Sequence, residues 1–233
     1  AAVPLAGKDM AFLNFEIQSS EKILGSIPLL YSIKEIESWN TNFIAKNDIK
    51  KLLKQYSFKP KEFLGLKNKK FYIMGILNIT SDSFSKASNN ILNKEEAIKK
   101  ALMMYEDGAS IIDIGGESTR PGAMKVTTEE EQKRVIPIIK ELSKFNIPIS
   151  CDTRNSSTMQ AAIDEGATII NDISALSDDK AADIISKNNS GLIMMHMQGQ
   201  PNNMQNKPVY KNVSFEIKKY LESKKNYAIK KGI

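Results

Sequence analysis

Five apolar runs in this chain each carry a polar side chain where a purely structural strand would not choose one. The first ends in Asn78-Ile79-Thr80, the second carries Asp113 inside Ile111-Ile112-Asp113-Ile114, and the third closes on Asp152-Thr153-Arg154. The fourth holds Asn171-Asp172, and the fifth ends in Met195-His196-Met197. The second run then breaks into Gly115-Gly116-Glu117-Ser118-Thr119-Arg120-Pro121-Gly122. An arginine fork with neighbouring hydroxyls and exposed backbone amides suits phosphate oxygens. The segment is neither a Walker loop nor a dinucleotide fingerprint, because the glycine spacing of both is missing.

Each of these residues also has a plainer reading. An asparagine at a strand end can satisfy loop backbone, Asp152 can cap a following helix, and His196, the only histidine, can pack in a core. Asp113 is hardest to explain in that way, because a carboxylate inside an apolar run is costly to bury without a partner. Recurrence at successive strand ends, not any one residue, points to a site.

The elements that must position these groups show in the hydrophobic period. Strands are expected over 71–79, 110–115, 148–153, 168–174 and 191–197, with helices over 95–107, 128–145, 156–165, 178–187 and 214–231. Near-continuous Ile, Leu and Met in the strands, alternating with helical segments, predicts a parallel sheet covered by helices. Asn93, and Thr127 or Thr128, stand where helices should start, and Gly108 and Gly166 where helices should stop. In an α/β barrel or open α/β sheet, ligands bind at the carboxyl ends of the strands, so the polar residues converge on one face. Residues 1–70 read differently, with mixed periodicity and no chemistry, and are expected to form an N-terminal extension or cap before a 71–233 domain.

Bulk properties narrow the function. With 233 residues and 41% hydrophobic content the chain can bury a sizeable core. The net charge of +6, from 33 basic against 27 acidic residues, is concentrated in lysine-rich stretches that match no nucleic-acid motif and read first as solvated helix faces; a net positive field would also help an anionic small molecule arrive. No run approaches the roughly 20 apolar residues of a membrane span. The single cysteine, Cys151, cannot form an internal disulfide, so a reducing, cytoplasmic setting is expected.

Taken in order, these stretches resemble the dihydropteroate synthases of the folate pathway. "MGILNITSDSFS" (74–85), "DIGGESTRPGA" (113–123), "PISCDT" (148–153), "IINDIS" (169–174) and "MMHMQG" (194–199) are similar to the family's first five strand signatures. The resemblance implies a TIM (β/α)8 barrel, of which about five β/α units are present. It also implies a transferase, a sulfonamide target, that condenses 4-aminobenzoate with 6-hydroxymethyl-7,8-dihydropterin diphosphate to give dihydropteroate and pyrophosphate.

On that resemblance Asp113, Asp152 and Asn171 bind the pterin and Met195 lines its slot. Asn78 helps hold Mg2+ against the pyrophosphate, while Thr119 and Arg120, on the second loop, order the reacting complex. His196 is expected to be structural. A homodimer joined through outer helices is also implied. Two departures stand out: Ser81 replaces a proline of the first-strand motif, and Lys86-Ala87-Ser88 replaces an acidic residue and two glycines. The chain ends after the fifth strand unit, so it is expected to be a piece of a longer product with little or no synthase activity alone. The alternatives are a methyltetrahydrofolate methyltransferase on the same barrel, which has no use for the Ser118–Gly122 segment, and a catalytically dead pterin-binding member.

Overall fold

A computed structural model of the protein describes residues 3–5, 11–17, 29–38, 46–58, 66, 71–79, 90–117, 126–199, 203–204 and 207–233. The chain divides into two compact units, Ala1–Gly65 and Leu66–Ile233.

In the first unit β1 (Val3–Pro4) pairs with β2 (Ala11–Phe12), and β3 (Asn14–Ile17) with β4 (Leu29–Ser32), both antiparallel. Two helices follow, α1 (Ile33–Ser38) and α2 (Lys46–Ser57). Helix α1 opens with a capping box, in which the Ser32 amide donates to Glu35 Oε2 at 2.7 Å and the Glu35 amide to Ser32 Oγ at 3.3 Å. A small core of Ile33, Ile36 and Leu53 packs with Phe12, Phe15 and Tyr31.

The second unit alternates strand and helix: β5 (Met74–Asn78), α3 (Asn90–Glu106), β6 (Ile111–Gly115), α4 (Thr128–Leu142), β7 (Ile149–Asp152), α5 (Ser156–Asp164), β8 (Ile169–Asp172), α6 (Ala181–Lys187), β9 (Gly191–Met194) and α7 (Val213–Lys230). The strands are parallel and lie in chain order, β5-β6-β7-β8-β9. Because side chains alternate along a strand, one register set meets the helices and the other does not. Leu77, Ile112, Ile114, Ile149, Cys151 and Ile170 form a core with Ala97 and Ala101 of α3, Val135 and Ile139 of α4, Met159 of α5, Ile185 of α6 and Ala228 of α7. On the other face Ile76 is 61% exposed, whereas its neighbour Leu77 is fully buried. Among the described residues no helix is long and apolar enough to cross a membrane.

The expected helix stops are where the chain turns. Gly108 (φ 113°) and Gly166 (φ 111°) follow α3 and α5 in a left-handed conformation. The amide of Gly108 donates to Tyr105 O at 3.1 Å and that of Ala109 to Met104 O at 2.9 Å; Gly166 and Ala167 repeat this on Ile163 O and Ala162 O. These paired bonds are Schellman motifs, and Asn189 and Gly232 close α6 and α7 in the same way. Thr127 caps α4, its hydroxyl accepting from the Glu130 amide at 3.3 Å.

Three boundaries differ from the sequence expectation. Helix α3 starts at Asn90, so Asn93 lies within it and does not cap it. The 128–145 segment ends in a 3-10 turn, Ser143–Phe145, closed by Asn146 at φ 56°. Helix α6 begins at Ala181, because Asp178 instead accepts from the amides of Lys180 and Ser156. The strands are also shorter than expected, since pairing starts only at Met74↔Ile111 and Phe71 remains 72% exposed.

Gly108 and Gly166 share a backbone conformation but not surroundings. A Cβ on Gly108 would meet nothing within 4 Å, whereas one on Gly166 would lie 2.6 Å from Ser143 Cβ. Gly166→Ala is therefore expected to lower stability by about 2–3 kcal/mol and Gly108→Ala by about 1–2 kcal/mol. Urea unfolding of the two variants checks this, and equal losses would refute the steric part.

Candidate ligand-binding site

Register builds the site on the face turned away from the helices. At one level the paired residues run Asn78↔Gly115↔Asp152↔Asn171↔Ile193, and one step below they run Ile76↔Asp113↔Ser150↔Ile169↔Gly191. Asn78, Asp113, Asp152 and Asn171 therefore share one face at the carboxyl end of the sheet. Gly115 sits in the middle of the upper row. A Cβ there would lie 3.3 Å from Asn78 Oδ1 and 3.4 Å from Asp152 Oδ2, so the glycine leaves the space on which both oxygens border.

Asp113 is only 4% exposed. Asn171 Nδ2 donates to its Oδ2 at 3.0 Å, reaching across β7. Strands two apart in a flat sheet stand roughly 10 Å from each other, so the contact marks a sheet curled toward this face. Asp113 Oδ1 and the fully buried Ser150 Oγ have no hydrogen-bond partner among the described residues. Burial pushes the Asp113 carboxyl up from its ordinary value, opposed by the nearby Ser150 hydroxyl and the Asn171 amide; only the Asn171 contact closes as a hydrogen bond.

Asp152 is raised to about 7, first by burial and then by the negative charges of Asp113, Glu131, Asp172 and Glu117. Near neutrality it can therefore donate as well as accept. Burial also pushes the Cys151 thiol well up, and Cys151 faces the helices, so it offers no nucleophile.

The strand exits are braced by side chains that the sequence reading did not assign. Glu117 Oε2 accepts from Arg154 Nε and Glu117 Oε1 from Arg154 Nη2, each at 3.0 Å. Arg134 Nη1 donates to Gly116 O at 3.0 Å. Glu131 is 1% exposed, its Oε2 accepting from Asn155 Nδ2 at 2.9 Å and Thr158 Oγ1 at 2.6 Å. An acid in the first turn of a helix has a local explanation in the helix dipole, but the spacing of Glu131 from Val135, Ile138, Ile139 and Leu142 puts it on the buried stripe. Asp172 is also buried, accepting from the Ser174 amide and hydroxyl and the Leu176 amide, and so holds the turn after β8 rather than the open face.

The remaining expected residues divide. Met195 follows β9 half-buried, its amide donating to Asp172 O at 3.4 Å. The His196 ring packs against Tyr210 and Tyr220, with centroids 5.8 and 4.9 Å away. Thr119 and Arg120 lie outside the described residues, as do residues 80–89 with Ser81 and Lys86-Ala87-Ser88. Among the described residues no group of three or more His, Cys, Asp or Glu is placed to hold a metal. A surface groove of about 720 Å³ between α3 and α4, lined by Ile98, Leu102, Met103 and Phe145, is on the helix side of the sheet, away from this face.

Parallel β/α units whose polar residues gather at the strand ends are the layout of a ligand-binding (β/α) barrel. Residues 74–233 match the pterin binding enzyme family, and the chain belongs to it. It is 43% identical over 163 residues to the dihydropteroate synthase of Neisseria meningitidis serogroup C, covering 69% of this chain and 58% of that protein. A Yersinia pestis dihydropteroate synthase structure with a sulfonamide drug complex superposes with a TM-score of 0.67 at 37% identity, covering 74% of this chain and 64% of that one. The Burkholderia cenocepacia enzyme, complexed with 7,8-dihydropteroate, gives a TM-score of 0.61 at 37% identity, covering 72% and 56%. The second unit thus carries five β/α units of the (β/α)8 barrel of this family. The chain spans a little over half the length of the curated relatives it matches.

The raised Asp152 carboxyl links stability to pH. Between about pH 4 and 7 the folded chain keeps a proton that the unfolded chain, with an ordinary value near 3.8, has released. This contribution to stability is present below about pH 4 and is lost as pH rises through about 7. Asp152→Asn should flatten that part of the profile. Urea unfolding of both proteins at pH 5 and pH 8 checks it, and an unchanged pH dependence in the variant would contradict the assignment.

Proposed function

We propose that the protein is a dihydropteroate synthase, joining 4-aminobenzoate to 6-hydroxymethyl-7,8-dihydropterin diphosphate with release of pyrophosphate. The observation that carries this reading is the Asp113, Asp152 and Asn171 constellation on the curled sheet face turned away from α3–α7. A pterin presents a flat edge rich in N–H donors, and carboxylates with unsatisfied oxygens are its complement. Such an edge would offset the burial of Asp113, whose Oδ1 has no partner among the described residues. The 7,8-dihydropteroate in the Burkholderia structure supports the same ligand class.

The chemistry asks little of a base. An aromatic amine is already a neutral nucleophile, and loss of pyrophosphate leaves a cation delocalised into the pterin, so holding the two reactants in line does much of the work. In this reading Asp113, Asp152 and Asn171 fix the ring, Met195 packs on it, and Thr119 and Arg120 order the reacting complex.

Asn78 contributes one neutral oxygen at the rim. This fits a Mg2+ ion that keeps several waters and takes phosphate oxygens from the substrate, and does not require an all-protein cage. A bound Mg2+ would neutralise charge on the departing pyrophosphate. We also infer a cytoplasmic homodimer joined through the outer helices, a reading supported by exposed apolar residues on them such as Met103 and Tyr105.

Calorimetric titration of the intact protein with 6-hydroxymethylpterin tests the ring site. Asp152→Asn should weaken binding by about 1–3 kcal/mol. Unchanged affinity would remove Asp152 from the site, and no binding by the wild type would overturn the reading.

A further inference from the structure

The bidentate Glu117–Arg154 pair is not a surface ion pair. The two side chains are 11% and 19% exposed, and both Glu117 oxygens are engaged at 3.0 Å. Exposed pairs contribute little, but a shielded fork with two parallel hydrogen bonds fixes geometry. The partners stand just past different strands, Glu117 two residues beyond Gly115 of β6 and Arg154 two beyond Asp152 of β7. Glu117 Oε1 also accepts from the Val126 amide at 3.4 Å, immediately before the Thr127 cap of α4. One carboxylate therefore joins the exit of β6, the exit of β7 and the start of α4. Arg134 from α4 holds the adjoining Gly116 carbonyl, so the β6 exit is gripped by two arginines from different elements.

We propose that Glu117 and Arg154 are positioning residues for the ligand-reading face, fixing the exits of β6 and β7 so that Asp113 and Asp152 keep one spacing. Neither residue needs to touch the ligand. Glu117 occupies the Arg154 guanidinium fork, so that cation is held at the strand exits and does not pair with the Asp152 carboxylate. The proposal rests on the pterin-binding reading above, and the two fail in different ways.

The test is titration of the intact protein with 6-hydroxymethylpterin, comparing wild type, Glu117→Gln, Arg154→Met, Arg154→Lys and the charge swap Glu117→Arg with Arg154→Glu. Heat is referred to the folded fraction measured by circular dichroism. Glu117→Gln and Arg154→Met should each raise Kd about tenfold or more, the loss of one charge-assisted contact's worth of positioning. Arg154→Lys, which keeps charge but not the fork, should fall between, and the swap should recover much of the affinity. If the single variants melt earlier while the folded fraction binds with wild-type Kd, the pair is only structural and the proposal is overturned. If Arg154→Met does not fold, Arg154→Lys decides alone, with wild-type Kd counting against the proposal. No heat with the wild type sinks the pterin reading and this inference with it, whereas wild-type binding with unaltered variants sinks this inference only.

Discussion

The hydrogen bond from Asn171 to Asp113 is the contact on which the polar face depends. A carboxylate almost wholly removed from water costs several kcal/mol unless it is paired or hydrogen-bonded. Asn171 satisfies one oxygen of Asp113 and leaves the other without a partner among the described residues. The bond spans an intervening strand, so it forms only if the sheet curls. One face is filled by Ile, Val, Leu and Ala under five helices, while the other sets Asp113, Ser150, Asp152 and Asn171 among Ile76, Ile169 and Ile193. Register then brings Asp152 and Asn78 alongside, with Gly115 providing the clearance between them.

Around this face a second layer of charge fixes the strand exits. Glu131, Glu117, Arg134 and Arg154 connect the starts of α4 and α5 to the ends of β6 and β7. The same layer shapes the electrostatics, since Glu131 and Glu117 add to the field that lifts Asp152 to about 7. Positioning and proton affinity are thus set by the same side chains. A change in either glutamate acts on both.

Much of the second unit was legible in the sequence because its signals are local. Apolar runs specified the strands, and Gly108 and Gly166 marked helix stops because a left-handed residue is cheapest as glycine. The polar strand ends were legible for the same reason, each being an exception inside a regular pattern. What the sequence hid was assignment between competing local explanations. Glu131 also satisfies a helix-start rule, which masks its burial; Asp172 sits beside Asn171 but turns to hold Ser174 and Leu176. Asn93 had as good a cap signature as Thr127, yet the helix runs back to Asn90. The Glu117–Arg154 pair joins residues 37 apart, a relation that no local pattern encodes.

If the curled face bearing Asp113, Asp152 and Asn171 reads a pterin ring, the ring must dock on that face. A crystal structure of the intact protein soaked with 6-hydroxymethylpterin tests it most directly. The ring's donor edge is expected against those three side chains, with Asp113 Oδ1 gaining a ligand N–H. A ring bound elsewhere, or an Asp113 oxygen that stays out of contact with a fully occupied ligand, would contradict it.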